Sequence, residues 1–147
     1  MRKQKISRGF SKREELMDDI NLKVKLYIQN GKEKFMGIGV LWVLQKTKEL
    51  GSLRAASADL GISYSKVYRM IVNLENNLGA KVVDRKKGGS DRSGATLTEF
   101  GERFADMYDS FQRQCKALLD KPFEEFTVQM HDLIGEYRET QEISEKV

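Results

Sequence analysis

Three glycines divide the middle of the chain into short segments, and their spacing limits the possible folds more than any other sequence feature. Gly51, Gly61 and Gly79 each follow a stretch with helical periodicity, and glycine suits the positive φ at which helices often end. Ser52 directly precedes the stretch that ends at Gly61, and Ser63 precedes the stretch that ends at Gly79. A serine hydroxyl at such a position can cap the start of a helix. The pattern predicts a short helix over 53–60 and a second one over 64–78, joined by a turn at Gly61.

The residues on either side of this helix pair predict one β-hairpin before it and another after it. Residues 22–28 alternate between apolar and polar, and Asn30-Gly31 is a strong signal for a hairpin turn before a returning strand over 32–36. Residues 81–85 and 95–97 predict two short strands around a polar, glycine-rich loop. We therefore predict an α+β, mostly α fold: a winged helix-turn-helix with an N-terminal β-hairpin and a long C-terminal dimerisation helix.

That long helix is predicted over about 99–119, with Thr98 as its N-cap and Pro122 marking its end. Its aromatic and aliphatic residues recur at spacings near a heptad, which is typical of helices that pair with another helix. The alternative is that this face packs within the protomer, under an amphipathic segment over 123–137. The residues predicted to mediate homodimerisation are Phe100, Phe104, Met107, Tyr108, Phe111 and Leu118.

The second helix of the pair has one apolar and one polar face. Val67, Ile71 and Leu74 fall on a single stripe, which is predicted to face the core. The opposite face can enter the major groove of DNA, where Arg69 suits a guanine edge and Tyr68 a thymine methyl. The basic loop 85–94 can follow a phosphate backbone or reach a minor groove. The predicted DNA-binding residues are Ser52, Arg54, Ser63, Tyr64, Ser65, Lys66, Tyr68, Arg69, Lys86, Lys87 and Arg92.

Charge is segregated along the chain, although the net charge is only +4. Residues 1–13 contain six bases and no acid, whereas residues 120–147 contain eight acids and three bases. A basic arm often contacts nucleic acid, and the alternative is a solvated tail. The predicted organisation is a basic arm over 1–20, the winged helix-turn-helix over 21–97, the dimerisation helix over 98–121, and an amphipathic helix with an acidic tail over 122–147.

The composition excludes several classes of protein and site. One cysteine, Cys115, and one histidine, His131, cannot build an intramolecular disulfide or the usual structural zinc site. No apolar run is long enough for a membrane span, so we expect a cytoplasmic location. No serine, cysteine or histidine has a catalytic partner nearby in sequence, so neither an enzyme nor a cofactor is expected. Trp42, the only tryptophan, is predicted to lie in the core.

These residues also resemble a known family. The stretch from about Asn21 to Gln112 is similar to the winged-helix domain of bacterial molybdate-responsive (ModE-type) regulators. LysR-type regulators share part of the pattern, but they usually lack a preceding hairpin. The matching pieces are the hairpin Leu22–Met36, Gly51-Ser52-Leu53, Ala55-Ala56, Gly61-Ile62-Ser63-Tyr64, Leu78-Gly79, Gly88-Gly89, Leu97-Thr98 and Gly101.

The chain departs from this family at two places, and a third difference limits what the resemblance implies. Where the family often has Ala-Trp, this chain has Val67-Tyr68. Where the family wing often continues with a run of glycines, Gly88-Gly89 is followed here by Ser90-Asp91-Arg92-Ser93-Gly94. The sequence after Leu119 predicts no strands, so the resemblance is to stand-alone DNA-binding members, and no molybdate site is predicted.

The expected partners are double-stranded DNA and a second copy of the chain, with no membrane. The expected function is a homodimeric, sequence-specific transcriptional regulator, and the alternative is a winged-helix protein–protein interaction module without DNA binding.

Overall fold

The computed structural model describes residues 19–85 and 94–147. Its elements confirm the predicted fold class, a mostly helical winged helix-turn-helix that follows a β-hairpin and precedes a long helix. Each hairpin is a separate two-stranded antiparallel sheet. In chain order, the elements are β1 (Tyr27–Asn30), β2 (Glu33–Gly37), α1 (Ile38–Leu50), α2 (Leu53–Leu60), α3 (Tyr64–Leu78), β3 (Val83–Arg85), β4 (Ala95–Leu97), α4 (Glu99–Ala117) and α5 (Asp120–Glu145).

The helix pair has the bounds that its caps predict. The Ser52 hydroxyl accepts the Ala55 backbone N–H at 3.2 Å, and the Ser63 hydroxyl accepts the Lys66 N–H at 3.3 Å. Gly61 ends α2 in the left-handed region, at φ 66°. These contacts span only a few residues, so local sequence is enough to set where α2 and α3 begin and end.

The core lies where α1, α2 and α3 meet. Val67, Ile71 and Leu74 of α3 are fully buried, as their stripe predicts, against apolar residues of α1 that include Leu41 and Leu44. The first hairpin packs on the same helix, because the Asn73 amide of α3 donates a hydrogen bond of 3.0 Å to the Lys34 carbonyl. One face of α3 is thus held by the core and the hairpin.

The hairpin differs from its prediction in where pairing begins and where the chain turns. Pairing starts only at Tyr27, although the residues before it keep the alternating burial that the sequence predicts. Asn30 pairs with Glu33, so the loop consists of Gly31 and Lys32 rather than Asn30-Gly31. Gly31 takes the positive φ of 61° that this first loop position requires, and its place decides the register.

Tyr108 corrects one residue of the predicted dimerisation face. Its side chain is only 3% exposed, and its hydroxyl donates a 2.7 Å hydrogen bond to the Leu26 carbonyl. Burial raises the pKa of this phenol above its ordinary value. Tyr108 belongs to the stripe of α4 that faces the protomer's own core, together with Gly101, Ala105 and Gln112.

The C-terminal region is more helical than the sequence suggests. Pro122 lies in the first turn of α5, where its missing N–H costs no helical hydrogen bond, and α5 continues to Glu145. No residue of α5 is buried. Trp42, predicted for the core, is 50% exposed, because it lines open grooves between α1, α4 and the segment before β1. None of the described helices is long and apolar enough to cross a membrane.

Candidate nucleic-acid interface

The face of α3 opposite the core presents polar, basic and aromatic side chains to solvent. Ser65, Lys66 and Arg69 are exposed, and Tyr68 is 41% exposed. Tyr64, which was predicted to lie largely outside, is half-buried and packs against the core. The sequence therefore assigns the correct face of the helix, and only Tyr64 takes part in both surfaces.

The N-terminus of α3 lies at one end of this face. Ser63 caps it through the Lys66 N–H, and its hydroxyl lies 3.5 Å from that of Ser65. The first turn contains no acidic residue. Free backbone N–H groups and the positive end of the helix dipole favour an anion at such a position, and the phosphate of a nucleic acid is one that fits.

Two arginines stack on the two tyrosines of α3 and form a continuous row. The Arg54 guanidinium carbon of α2 lies 4.4 Å from the Tyr64 ring centroid, and that of Arg85 in β3 lies 4.3 Å from the Tyr68 ring centroid. The two ring centroids are 6.4 Å apart, with a tilt of 47° between the planes. We call Arg54, Tyr64, Tyr68 and Arg85 the tyrosine–arginine row. It joins α2, α3 and the wing strand β3 across one surface.

Arg85 is the member of this row that the sequence prediction missed. It begins the basic loop 85–94 but is not among the predicted DNA-binding residues. Because consecutive residues of a strand point to opposite faces, Arg85 and the neighbouring acid Asp84 are directed apart. That alternation was the available signal, but the partner ring is seventeen residues earlier in the chain.

The base of the wing is fixed beside the helix pair. The Ala95 N–H of β4 donates to the Gly51 carbonyl at 2.9 Å, and Ser52 forms an isolated β-bridge with Gly94. The strands β3 and β4 are antiparallel, with Val83 opposite Leu97 and Arg85 opposite Ala95. The predicted contact residues Lys86, Lys87 and Arg92 lie outside the described residues, as do residues 1–18 of the basic arm.

A buried carboxylate connects α3 to the wing. Glu75 is only 8% exposed, and its carboxylate accepts the backbone N–H of the fully buried Val82 at 3.1 Å. The Lys81 ammonium lies 3.7 Å from the same oxygen. A hydrogen bond to a charged acceptor is stronger than one between neutral groups, so this contact sets the position of β3 relative to α3.

Replacing Glu75 with methionine is expected to lower the free energy of unfolding by about 1–3 kcal/mol, because the buried Val82 N–H then has no acceptor. Glu75→Gln keeps a side-chain oxygen and is the matched control, with a smaller expected loss. Urea unfolding followed by circular dichroism measures both. Equal stabilities of Glu75→Met and the wild type would contradict this assignment.

The basic side chains of the interface are available for a ligand. Within residues 19–85 and 94–147, Arg54, Lys66, Arg69 and Arg85 form no ion pair with a carboxylate. The surface lysine Lys46, by contrast, is paired with two carboxylates at 3.1 and 3.2 Å. Unpaired cations beside exposed aromatic rings are suited to binding a polyanion.

The described residues contain no group of three or more histidine, cysteine or acidic side chains placed to hold a metal ion.

A second surface, on α4, is apolar and uncovered. Met107 is 68% exposed and Leu118 is 77% exposed, while Phe100 and Phe111 are each about half exposed. Phe104 is half-buried, and its ring stacks on that of Phe100 with centroids 6.4 Å apart and planes only 3° from parallel. In this structure α5 does not bury these side chains, contrary to the packing alternative. We call Phe100, Phe104, Met107, Phe111 and Leu118 the α4 apolar face.

Comparison with known proteins finds sequence similarity over most of the helix-turn-helix and the wing. A family model for bacterial regulatory helix-turn-helix proteins of the lysR family matches residues 40–102. The molybdenum-pterin-binding protein MopB of Rhodobacter capsulatus is 31% identical over 84 residues, which are 57% of this chain and 31% of MopB. The DNA-binding transcriptional dual regulator ModE of Escherichia coli is 38% identical over 60 residues, which are 40% of this chain and 22% of ModE. The matched segments thus span less than a third of either relative.

Solved structures with a similar backbone include two LysR-type proteins. A complex of the CbnR DNA-binding domain with DNA has a TM-score of 0.49 at 23% identity, covering 58% of this chain and 93% of that domain. The LysR family regulator VV2_1132 has a TM-score of 0.47 at 26% identity, covering 58% of this chain and 28% of that protein.

Proposed function

We propose that this chain, which carries a ModE-like winged-helix DNA-binding domain, is a sequence-specific regulator of transcription that acts as a homodimer. The observation that carries the proposal is the exposed face of α3, where aromatic rings and basic groups that pair with none of the described carboxylates lie beside a capped helix N-terminus. An α-helix fits the major groove of B-DNA, which is about 12 Å wide.

The proposed division of labour follows from the geometry of the interface. Ser65, Lys66, Tyr68 and Arg69 of α3 read base edges in the major groove, while the N-terminus of α3 binds a phosphate. The wing between β3 and β4 binds the backbone or the minor groove, through Lys86, Lys87 and Arg92. Ser52 and Arg54 bind phosphate near the start of α2, and Ser63 and Tyr64 bind phosphate near the start of α3.

Homodimerisation is proposed to use the α4 apolar face. One winged helix reads few base pairs and buries a modest interface, whereas two on a two-fold axis read a palindrome. Exposed apolar side chains that share one face of a helix are typical of an interaction site. Its near-heptad spacing suits a helix that pairs with a second copy of itself.

Arg69→Ala is expected to weaken binding to the preferred DNA site by about 1–3 kcal/mol and to relax specificity at one base position. The preferred site is first obtained by selection from a random DNA pool with the wild-type protein. Fluorescence anisotropy titrations then compare the two proteins on that site and on its single-base variants. Arg138→Ala, which removes the same charge from the exposed surface of α5, is the matched control and should bind like the wild type.

Two outcomes would contradict this proposal. Equal affinity of Arg69→Ala and the wild type on every variant would remove Arg69 from base recognition. Binding that does not change with salt would be inconsistent with phosphate contacts, since released counterions make such binding fall as salt rises.

The alternative function is a protein–protein interaction module, because the α4 apolar face and the exposed α5 are surfaces that another protein can cover. A mobility-shift experiment with random duplex DNA at low salt separates the two. A shift supports DNA binding, and the absence of any shift favours the protein-interaction function.

A further inference from the structure

Tyr68 and Arg85 lie on different elements, yet their side chains are in contact. Tyr68 projects from the exposed face of α3, and Arg85 ends β3 at the entrance to the wing. The Arg85 guanidinium carbon lies 4.3 Å from the Tyr68 ring centroid. This is well within the range of about 6 Å over which an arginine and an aromatic face attract each other.

The stacking leaves the binding capacity of the arginine free. A guanidinium uses its flat face against the ring, while its five N–H donors lie in its plane and point outward. Arg85 is exposed and forms no ion pair with the described carboxylates. Its donors are thus oriented by Tyr68 without being used by it, which is the arrangement that a preorganised phosphate contact needs.

The position of the pair gives it a coupling role. At the buried side, the contact between Glu75 and the Val82 N–H joins α3 to the residue that directly precedes β3. The stack joins α3 to β3 at the exposed side. The start of the wing is thereby connected to α3 by one buried contact and one exposed contact, so a rotation of β3 or α3 would carry the other with it.

We propose that Tyr68 is a positioning residue for Arg85, and that the pair binds DNA as one unit that aligns the wing with the recognition helix. This inference rests on the proposed function. It differs from the prediction that Tyr68 contacts a thymine methyl independently of other residues. It also adds Arg85 to the binding surface.

The test uses the salt dependence of DNA affinity, because Tyr68 carries no charge of its own. The slope of log affinity against log salt counts the phosphate charges that the protein neutralises, and the loss of one such contact lowers it by about 1. If Tyr68 holds Arg85 on the DNA, then Tyr68→Leu flattens this slope by about the same amount as Arg85→Ala. Tyr68→Phe keeps the ring face and should keep the wild-type slope.

The experiment measures anisotropy titrations at several salt concentrations on the DNA site selected by the wild type. It compares the wild type, Tyr68→Leu, Tyr68→Phe, Arg85→Ala and the double variant Tyr68→Leu/Arg85→Ala. The double variant should lose no more slope than Arg85→Ala alone, because the two residues act together. Thermal melting checks folding, and Tyr68→Leu should melt like the wild type because Tyr68 is a surface residue.

A wild-type slope for Tyr68→Leu, or losses that simply add in the double variant, would overturn the inference and leave the proposed function intact. A lost slope in Tyr68→Phe would also overturn it, since the hydroxyl rather than the ring would then matter. A wild-type protein that shifts no DNA would overturn the proposed function and this inference together.

Discussion

Replacing Gly101 with alanine is expected to lower the melting temperature by about 6–12 °C, which corresponds to roughly 3 kcal/mol in a chain of this size. This expected loss of stability is opposite to the usual effect of the substitution. Replacing glycine with alanine within a helix ordinarily stabilises the protein by up to about 1 kcal/mol. A Cβ on Gly101 would lie 2.2 Å from the Val82 carbonyl oxygen and 2.9 Å from its carbonyl carbon. Both atoms are backbone, so no side-chain rotation can relieve the clash.

The structure around Gly101 shows why Val82 cannot move away. The Thr98 N–H donates to the Val82 carbonyl at 3.0 Å, and the Thr98 hydroxyl donates to the Lys81 carbonyl at 2.7 Å while it caps Gly101 at 2.9 Å. Val82 is also held by Glu75. A displacement of Val82 would break several of these hydrogen bonds and would carry the adjoining strand β3, at the base of the wing, with it.

Gly135→Ala is the matched control for Gly101→Ala. Gly135 is also a helical glycine, but an added Cβ would meet no atom within 4 Å. This substitution should increase the helix content and should not lower the melting temperature, as measured by far-ultraviolet circular dichroism. A Gly101→Ala protein that melts like the wild type would mean that α4 is not seated against Val82 as described.

Replacing Met107 with glutamate is expected to raise the dissociation constant of the proposed dimer by roughly a thousandfold. A dimer has two copies of the substitution, and each places an unpaired carboxylate in an apolar interface at a cost of about 2 kcal/mol or more, while 1.4 kcal/mol corresponds to tenfold. Met107 is 68% exposed in the protomer, so the fold itself should tolerate the change. Sedimentation equilibrium at tens of micromolar is the measurement.

Ala117→Glu is the control for Met107→Glu, because it adds the same charge to an exposed position of α4 outside the apolar face. It should remain dimeric. DNA titrations extend the test: Met107→Glu should lose affinity for a palindromic site but not for a half-site, since only the paired form engages two half-sites. A wild-type protein that sediments as a monomer, or a Met107→Glu protein that stays dimeric, would contradict the proposed use of the α4 apolar face.

The sequence determined the parts of this protein that depend on neighbours along the chain. The bounds of α2 and α3 follow from Ser52, Ser63 and the glycines after each helix, because a cap hydrogen bond spans three residues. The buried stripe of α3 follows from the helical period, which also identifies the exposed face. The side of α3 that is proposed to bind DNA was therefore predictable without a structure.

Other features depend on residues that are distant in sequence, and only the tertiary structure decided them. Tyr108 has the same apolar spacing as the α4 apolar face, but its hydroxyl reaches Leu26, eighty-two residues away, and this places it in the protomer. Trp42 has a large aromatic side chain of the kind that usually packs in a core, yet the arrangement of the helices leaves it half exposed. The partners of Gly101 and Arg85 were not visible in the sequence either, since each lies on another element. The physical reason is that hydrogen bonds within a turn of helix are specified locally, whereas which side chains meet across elements is set by how the whole core packs.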